Sequence, residues 1–315
     1  MASIVTGRLK GRDFLRVNDW APDELLEVLD LADRLKEERN EGVPHLLLEG
    51  RTLGMIFQKP STRTRVSFVV GIAQLGGTGL YLAAGDLQLG RGETVKDTAH
   101  VLSRYLDGIM IRTVSQADVD ELAEHADMPV INGLTDEFHP CQALADVMTI
   151  RERLGELEGV RVVYVGDGNN VCHSLMVACA KLGMHFTAAT PKGYEPDPEV
   201  VGWAREAAAL SGGSVALEGD PRSAAGGADV LYTDVWTSMG QDEERERRLR
   251  DLAGYGIDES LVALGSERMI VLHCLPAHYG EEITEDVLYG PKSAVWDQAE
   301  NRLHAQKALM ALVLR

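Results

Sequence analysis

Residues 59–68 read KPSTRTRVSF, so one short stretch carries hydroxyls on Ser61, Thr62 and Thr64 and guanidinium groups on Arg63 and Arg65. The apolar run Leu53 to Phe57 precedes it, and Val66, Phe68, Val69 and Val70 follow at spacings that suit a half-buried helix. Pro60 punctuates the strand end, and Ser61 and Thr62 are candidate helix caps. A strand, a turn and a helix start in that order make an anion site. Free backbone N–H groups, the positive end of the helix dipole, the hydroxyls and Arg63 converge on one phosphate-sized ligand. By spacing alone, a capped amphipathic helix with surface arginines reads equally well.

Other residues able to do chemistry stand at similar junctions. Arg112 ends the run Gly108 to Ile111, at the carboxyl edge where open α/β sheets bind ligands. His139 and Gln142 flank Pro140 in HPCQ, at a helix start where a lone His is ordinarily a capping or solvent-facing residue. GDGNN, which holds Asn170, follows the strand RVVYV but lacks the third glycine and the acidic ribose contact of a dinucleotide fingerprint. Asp234 opens DVWTSMG, with Ser238 and Met239, and alone reads as a helix cap. Cys274 and Leu275 lie in HCLPA; with His273 and His278 they match no usual zinc spacing, so no metal is expected. Gln88 sits in the Gly-rich stretch GDLQLGRGET, which on its own reads as a surface loop, and Arg302 in ENRLHAQKA.

The elements that must position these residues alternate. An amphipathic helix over residues 18–40 leads to strand 51–57, helix 63–76, strand 79–83, helix 94–104, strand 107–111, helix 116–126 and strand 129–132. A long helix over 141–154 then runs through GELEG into strand 160–165. Further strands are expected near 185–189, 213–217, 229–232 and 269–272, and a last helix over 298–314. Such alternation predicts an α/β protein of two doubly wound domains, 1–150 and 151–315, each a mainly parallel sheet flanked by helices. The charge run DEERERRLR, Asp242 to Arg250, reads as a solvated helix face.

Composition narrows the partners. The chain has 315 residues and a formal charge of −18, from 49 acidic against 31 basic residues, which argues against nucleic acid and anionic membranes. A phosphate ligand must therefore be held by a local positive site inside a repulsive field, whereas a cationic amine meets the opposite bias. No segment approaches the roughly 18 apolar residues of a membrane span and no signal peptide is visible, so a cytoplasmic location is expected. Cys141, Cys172, Cys179 and Cys274 form no CxxC pair and are expected to be reduced thiols.

SxRTR followed by SF, HPCQ followed by ALAD, DVWTSMG and HCLP occur in that order, and together they resemble the aspartate and ornithine carbamoyltransferase family. The matches run from about residue 55 to 305. DVWTSMG and HCLP resemble the branch that uses ornithine, rather than aspartate, putrescine or acetylornithine. That resemblance implies cofactor-free transfer of a carbamoyl group from carbamoyl phosphate to the δ-amine of ornithine, with a last helix that packs back on the first domain. It implies that Ser61, Thr62, Arg63 and Thr64 grip the phosphate, Arg65 giving structural support, and that Arg112 and His139 contact the carbamoyl oxygen. Gln142 would contact the carbamoyl nitrogen, Arg302 would lie near carbamoyl phosphate, and Gln88 would reach a neighbouring subunit's site in a homotrimer. Asn170 would meet the amino acid's carboxylate, and Asp234 and Ser238 its α-amino group, with Met239 contributing backbone. Cys274 would stand near the reacting amine and the Leu275 backbone near the carbamoyl group. A non-catalytic dinucleotide or regulatory binding protein is the alternative of another class.

Overall fold

The computed structural model describes residues 7–83, 85, 87–88, 92–237 and 242–315. One four-stranded sheet holds β1 (Thr52–Phe57), β2 (Thr78–Ala83), β3 (Gly108–Arg112) and β4 (Val130–Leu134) in the order β2-β1-β3-β4. A five-stranded sheet holds β5 (Arg161–Val165), β6 (His185–Ala189), β7 (Ser214–Glu218), β8 (Val230–Thr233) and β9 (Ile270–His273) in the order β7-β6-β5-β8-β9. All pairings of these strands are parallel. The central strands are apolar along almost their whole length because helices cover both faces, while edge strands β2 and β7 are largely exposed.

The intervening helices are α1 (Pro22–Asn40), α2 (Thr62–Gln74), α3 (Val95–Leu102), α4 (Gln116–His125), α5 (Pro140–Leu154), α6 (Asn170–Lys181), α7 (Pro198–Ser211), α8 (Pro221–Ala225), α9 (Arg245–Asp251), α10 (Glu259–Val262), α11 (Glu285–Leu288) and α12 (Val295–Val313). Side-chain caps explain many of the starts: Thr94, Ser115, Asn169, Asp197 and Thr284 each accept a backbone N–H of the helix that follows. The expected strands fall within a residue or two of their observed positions. Helices α7, α8, α10 and α11 were given no bounds in the sequence reading, which in that region expected continued alternation and a helix only over the charge run.

The chain divides into two compact units, residues up to Leu144 with Arg302–Arg315, and Ala145–Asn301. Both dividing points lie inside helices, α5 and α12. The end of α12 therefore packs in the first unit. A Cβ on Gly71 of α2 would lie 3.0 Å from Met310 Cε, and one on Gly108 would collide with Leu314.

Each sheet has one place where successive strands are added on opposite sides of a starting strand: between β1 and β3 in the first, between β5 and β8 in the second. The loops leaving the carboxyl ends of those strands diverge there and leave a crevice. In the first sheet the loop after β1 carries Ser61 while Arg112 is the last residue of β3; in the second, the loops carry Asp167, Asn169 and Asp234.

Candidate functional site

In the first unit, Ser61 is the N-cap of α2, and its hydroxyl accepts the Thr64 N–H at 3.2 Å. The first turn of α2 carries no acidic residue, so nothing competes for an anion at its positive end. Thr62 and Arg63 are exposed, whereas Thr64 is buried. Arg65 points elsewhere, its guanidinium carbon 3.9 Å from the centre of the Tyr81 ring, a cation–π contact that supports the loop.

Arg302, from α12, joins the motifs. Its Nη1 donates to Gln142 Oε1 at 2.7 Å and its Nη2 to Thr64 Oγ1 at 3.4 Å. Arg112 is buried at the end of β3, where the register shifts between Ile111 and Arg112. His139 is buried just before Pro140. Burial pushes its pKa well below the usual histidine range, and the charges of Arg302, Arg112 and Arg63 push it further in the same direction. The result is a neutral imidazole among three guanidinium groups, able to donate a hydrogen bond without adding charge. Cys141, next in sequence, has a buried thiol pushed up to about 12 and is no nucleophile.

The second unit builds the reverse polarity. The Asp234 carboxylate, buried at the end of β8, accepts from Asn169 Nδ2 at 2.7 Å, the Val235 N–H at 2.7 Å and Cys274 Sγ at 2.8 Å. Asn169 Oδ1 caps α6 by accepting the Val171 and Cys172 N–H groups at 3.0 and 3.2 Å, and takes the Tyr164 hydroxyl at 3.1 Å. Asn169 is thereby committed to the protein, and Asn170 takes the first helical position. Gly168 needs no nucleotide to explain it: a Cβ there would lie 2.3 Å from Pro196 N.

The HCLP turn is held from behind. His273 Nδ1 accepts the Leu275 N–H at 2.8 Å, so Nε2 carries the proton toward Glu282 Oε1 at 3.1 Å, both side chains being fully buried. Leu275 is held at φ 59°, in the left-handed region. The ligating atoms of Asp234, His273 and Cys274 lie within 4.8 Å of one another, but both ring nitrogens of His273 are occupied, which removes the imidazole as a metal ligand.

Three residues not singled out in the sequence reading belong here: Arg248, Asp167 and Asn169. Arg248, inside the charge run read as solvated, is buried: its Nε donates to the Trp236 carbonyl at 2.5 Å and its Nη2 pairs with the Asp167 carboxylate. Burial raises Asp167 to about 6 despite that partner. The charge run is therefore not uniformly solvated, because α9 turns Arg248 onto the segment that follows β8. Nothing in a string of alternating charges marks which arginine faces inward. The cap rule, by contrast, singles out Asn169 from the doublet.

Of the other expected residues, Gln88 is exposed, and Ser238 and Met239 lie outside the described residues. Cys274 and Leu275 belong to the second unit, with Asp234, while the remaining carbamoyl phosphate candidates belong to the first.

Comparison with known proteins agrees with this geometry. The model of the aspartate/ornithine carbamoyltransferase carbamoyl-P binding domain matches residues 12–152, and that of the Asp/Orn binding domain matches residues 158–313. The chain is 58% identical over 306 residues to an ornithine carbamoyltransferase of Pyrococcus horikoshii, covering 97% of this chain and 96% of that one. It is likewise 58% identical over 306 residues to an anabolic ornithine carbamoyltransferase of Pyrococcus furiosus, covering 97% of each. The structure of an ornithine carbamoyltransferase from Pyrococcus furiosus superposes with a TM-score of 0.95 at 57% identity, covering 97% of this chain and 98% of that one.

Proposed function

The chain belongs to the aspartate/ornithine carbamoyltransferase family, and from that premise we infer that it transfers the carbamoyl group of carbamoyl phosphate to the δ-amine of L-ornithine, giving L-citrulline and phosphate. In this reading the enzyme serves arginine biosynthesis. The observation that carries the reading is the polarity of the two crevices: guanidinium groups around a neutral His139 in one, and a buried Asp234 carboxylate touching Cys274 in the other.

The phosphate is gripped by Ser61, Thr62, Arg63, Thr64 and the amino end of α2, with Arg302 beside them. Attack at the carbamoyl carbon builds negative charge on its oxygen, and Arg112, His139 and Thr64 stabilise it; losing one such donor typically costs about 100-fold to 1000-fold. Gln142 receives the carbamoyl nitrogen. The neutral state of His139 supports this role, because its proton stays on the ring throughout.

The nucleophile is the harder problem. An amine with a lysine-like pKa of about 10.4 is neutral in about one molecule in 2500 at pH 7, a cost near 4.6 kcal/mol. Asp234 and Ser238 hold the α-ammonium, Met239 adds backbone and Asn170 holds the carboxylate, so that the chain's charge is satisfied at the α-carbon. Cys274 and the Leu275 backbone then face a δ-nitrogen whose charged form is disfavoured by desolvation. Phosphate departs onto Arg63 and the helix start, and no cofactor is required by this chemistry.

We place the enzyme in a homotrimer in which the Gln88 loop serves a neighbouring subunit. Exposed Val66, Val69, Leu80, Tyr81, Val101 and Tyr105 on the first unit support an interface between copies. We place the enzyme in the cytoplasm; no helix among the described residues is long and apolar enough to cross a membrane.

Citrulline formation from carbamoyl phosphate by purified protein tests the reading, with ornithine, putrescine, acetylornithine and aspartate supplied at equal concentration. Preference for ornithine is expected. Turnover with another acceptor alone would overturn the roles given to the Asp234 loop while leaving the phosphate grip standing.

A further inference from the structure

Behind the carbamoyl phosphate residues lie two buried polar side chains to which neither the resemblance nor the mechanism above gives a role: Gln306, and Ser67 of the SF pair. Gln306 is fully buried on α12, one turn beyond Arg302. Its neighbours fix the orientation of its amide: the oxygen accepts Arg302 Nη2 at 2.8 Å and Nε at 3.0 Å, while the nitrogen donates to Ser67 Oγ at 2.6 Å and to the Arg302 carbonyl at 3.2 Å. Ser67 Oγ in turn donates to the Thr64 carbonyl at 3.2 Å. One edge of the guanidinium is thus clamped from behind, and Nη1 is turned toward Gln142 Oε1.

A guanidinium has donors only, so the end of the Gln142 amide that it meets must be the oxygen. That choice matters for the substrate. The carbamoyl nitrogen of carbamoyl phosphate is also a donor and requires an acceptor, whereas acetyl phosphate has the same outline with a methyl group in its place. The Gln142 oxygen has a second lone pair beyond the one that Arg302 fills; carbamoyl phosphate can donate to it and acetyl phosphate cannot, a difference that a buried polar site turns into selection.

We infer that Gln306 is a positioning residue that selects carbamoyl over acetyl phosphate, by holding Arg302 so that Arg302 holds the Gln142 oxygen toward the ligand. The inference rests on the carbamoyl-transfer reading. Ser67 is the outer anchor of the same chain, and neither Gln306 nor Ser67 touches substrate.

The test is calorimetric binding of carbamoyl phosphate and of acetyl phosphate, without amine, to the parent, Q306L, Q306E and S67A. In Q306L the preference for carbamoyl phosphate should fall by about tenfold or more, with the ornithine KM of the variant within about twofold of the parent's. Q306E keeps both acceptor contacts to Arg302 but loses the amide donor to Ser67 and to the Arg302 carbonyl, so it should restore part of the preference, leaving it between those of Q306L and the parent. An unchanged preference in folded Q306L, or equal losses for carbamoyl phosphate and ornithine, would overturn the inference. If Q306L does not fold, S67A decides: a fall of about twofold or more supports the chain of contacts, and an unchanged preference sinks it. A parent that binds carbamoyl phosphate selectively yet makes no citrulline would refute the transfer reading and leave this comparison intact.

Discussion

The crevice between β1 and β3 and the crevice between β5 and β8 occupy the same place in two sheets of the same kind, yet their chemistry is opposite. The first gathers Arg63, Arg112 and Arg302 around an imidazole that stays neutral. The second gathers the Asp234 and Asp167 carboxylates, a thiol and one compensating arginine, Arg248. In a chain of net charge −18 the second follows the overall bias and the first works against it. The topology therefore supplies the location, and the loop sequences supply the sign. The methods of support differ too: a helix start and a clamped arginine in the first, a carboxylate that accepts three hydrogen bonds and keeps one acceptor site open in the second.

Removing the sign of the first crevice should have the largest effect. Arg63→Ala should leave the fold intact, because Arg63 is exposed, and lower kcat/KM for carbamoyl phosphate by about 100-fold to 1000-fold. Kinetics like the parent's would show that the helix start alone holds the phosphate. Next in size, Asp234→Asn should raise the ornithine KM by about 10-fold to 100-fold, the range for one charged hydrogen bond, and leave the carbamoyl phosphate KM near its parent value. Equal changes in both constants would erase the division of labour between the crevices.

Arg248→Met probes the compensation and should have the smallest kinetic effect, raising the ornithine KM by about tenfold through movement of the Trp236 segment rather than through contact. Its larger mark is on stability. Removing one partner of a buried pair costs about 3–5 kcal/mol. Burial already holds Asp167 at about 6, above an unfolded aspartate, and loss of the guanidinium raises it further. The folded variant then binds more protons than the unfolded chain between those values, so its stability should rise as pH falls from 8 toward 5.5. Thermal unfolding across that range checks the sign. A melting temperature indifferent to pH would mean that Asp167 is not the group left behind.

Much of the first crevice was legible from local pattern. Ser61, the βα alternation and the carboxyl-edge position of Arg112 follow from cap chemistry, apolar periodicity and strand endings, each readable within a few residues. The second was legible only in part. Asp234 and Cys274 were singled out only through the family resemblance, and Arg248 was read as solvent-facing because a dense charge run carries no periodic apolar marker to reveal its inward face. The glycines of GDGNN fall short of a nucleotide fingerprint, and the approach of Pro196 to Gly168 gives a packing reason for one of them.

The sequence by itself determined the fold class, the order of the elements and the chemical types available at each strand end, because these depend on propensity, periodicity and caps within a local window. It also determined the global charge against which a phosphate must be held. Tertiary structure alone decided which groups meet. Thr64, Gln142, Arg302 and Gln306 come from α2, α5 and α12, and Asn169, Asp234 and Cys274 from three separate loops. Their hydrogen bonds span long separations in sequence, and the burial that keeps His139 neutral is a sum over many distant neighbours, which no single stretch of sequence encodes.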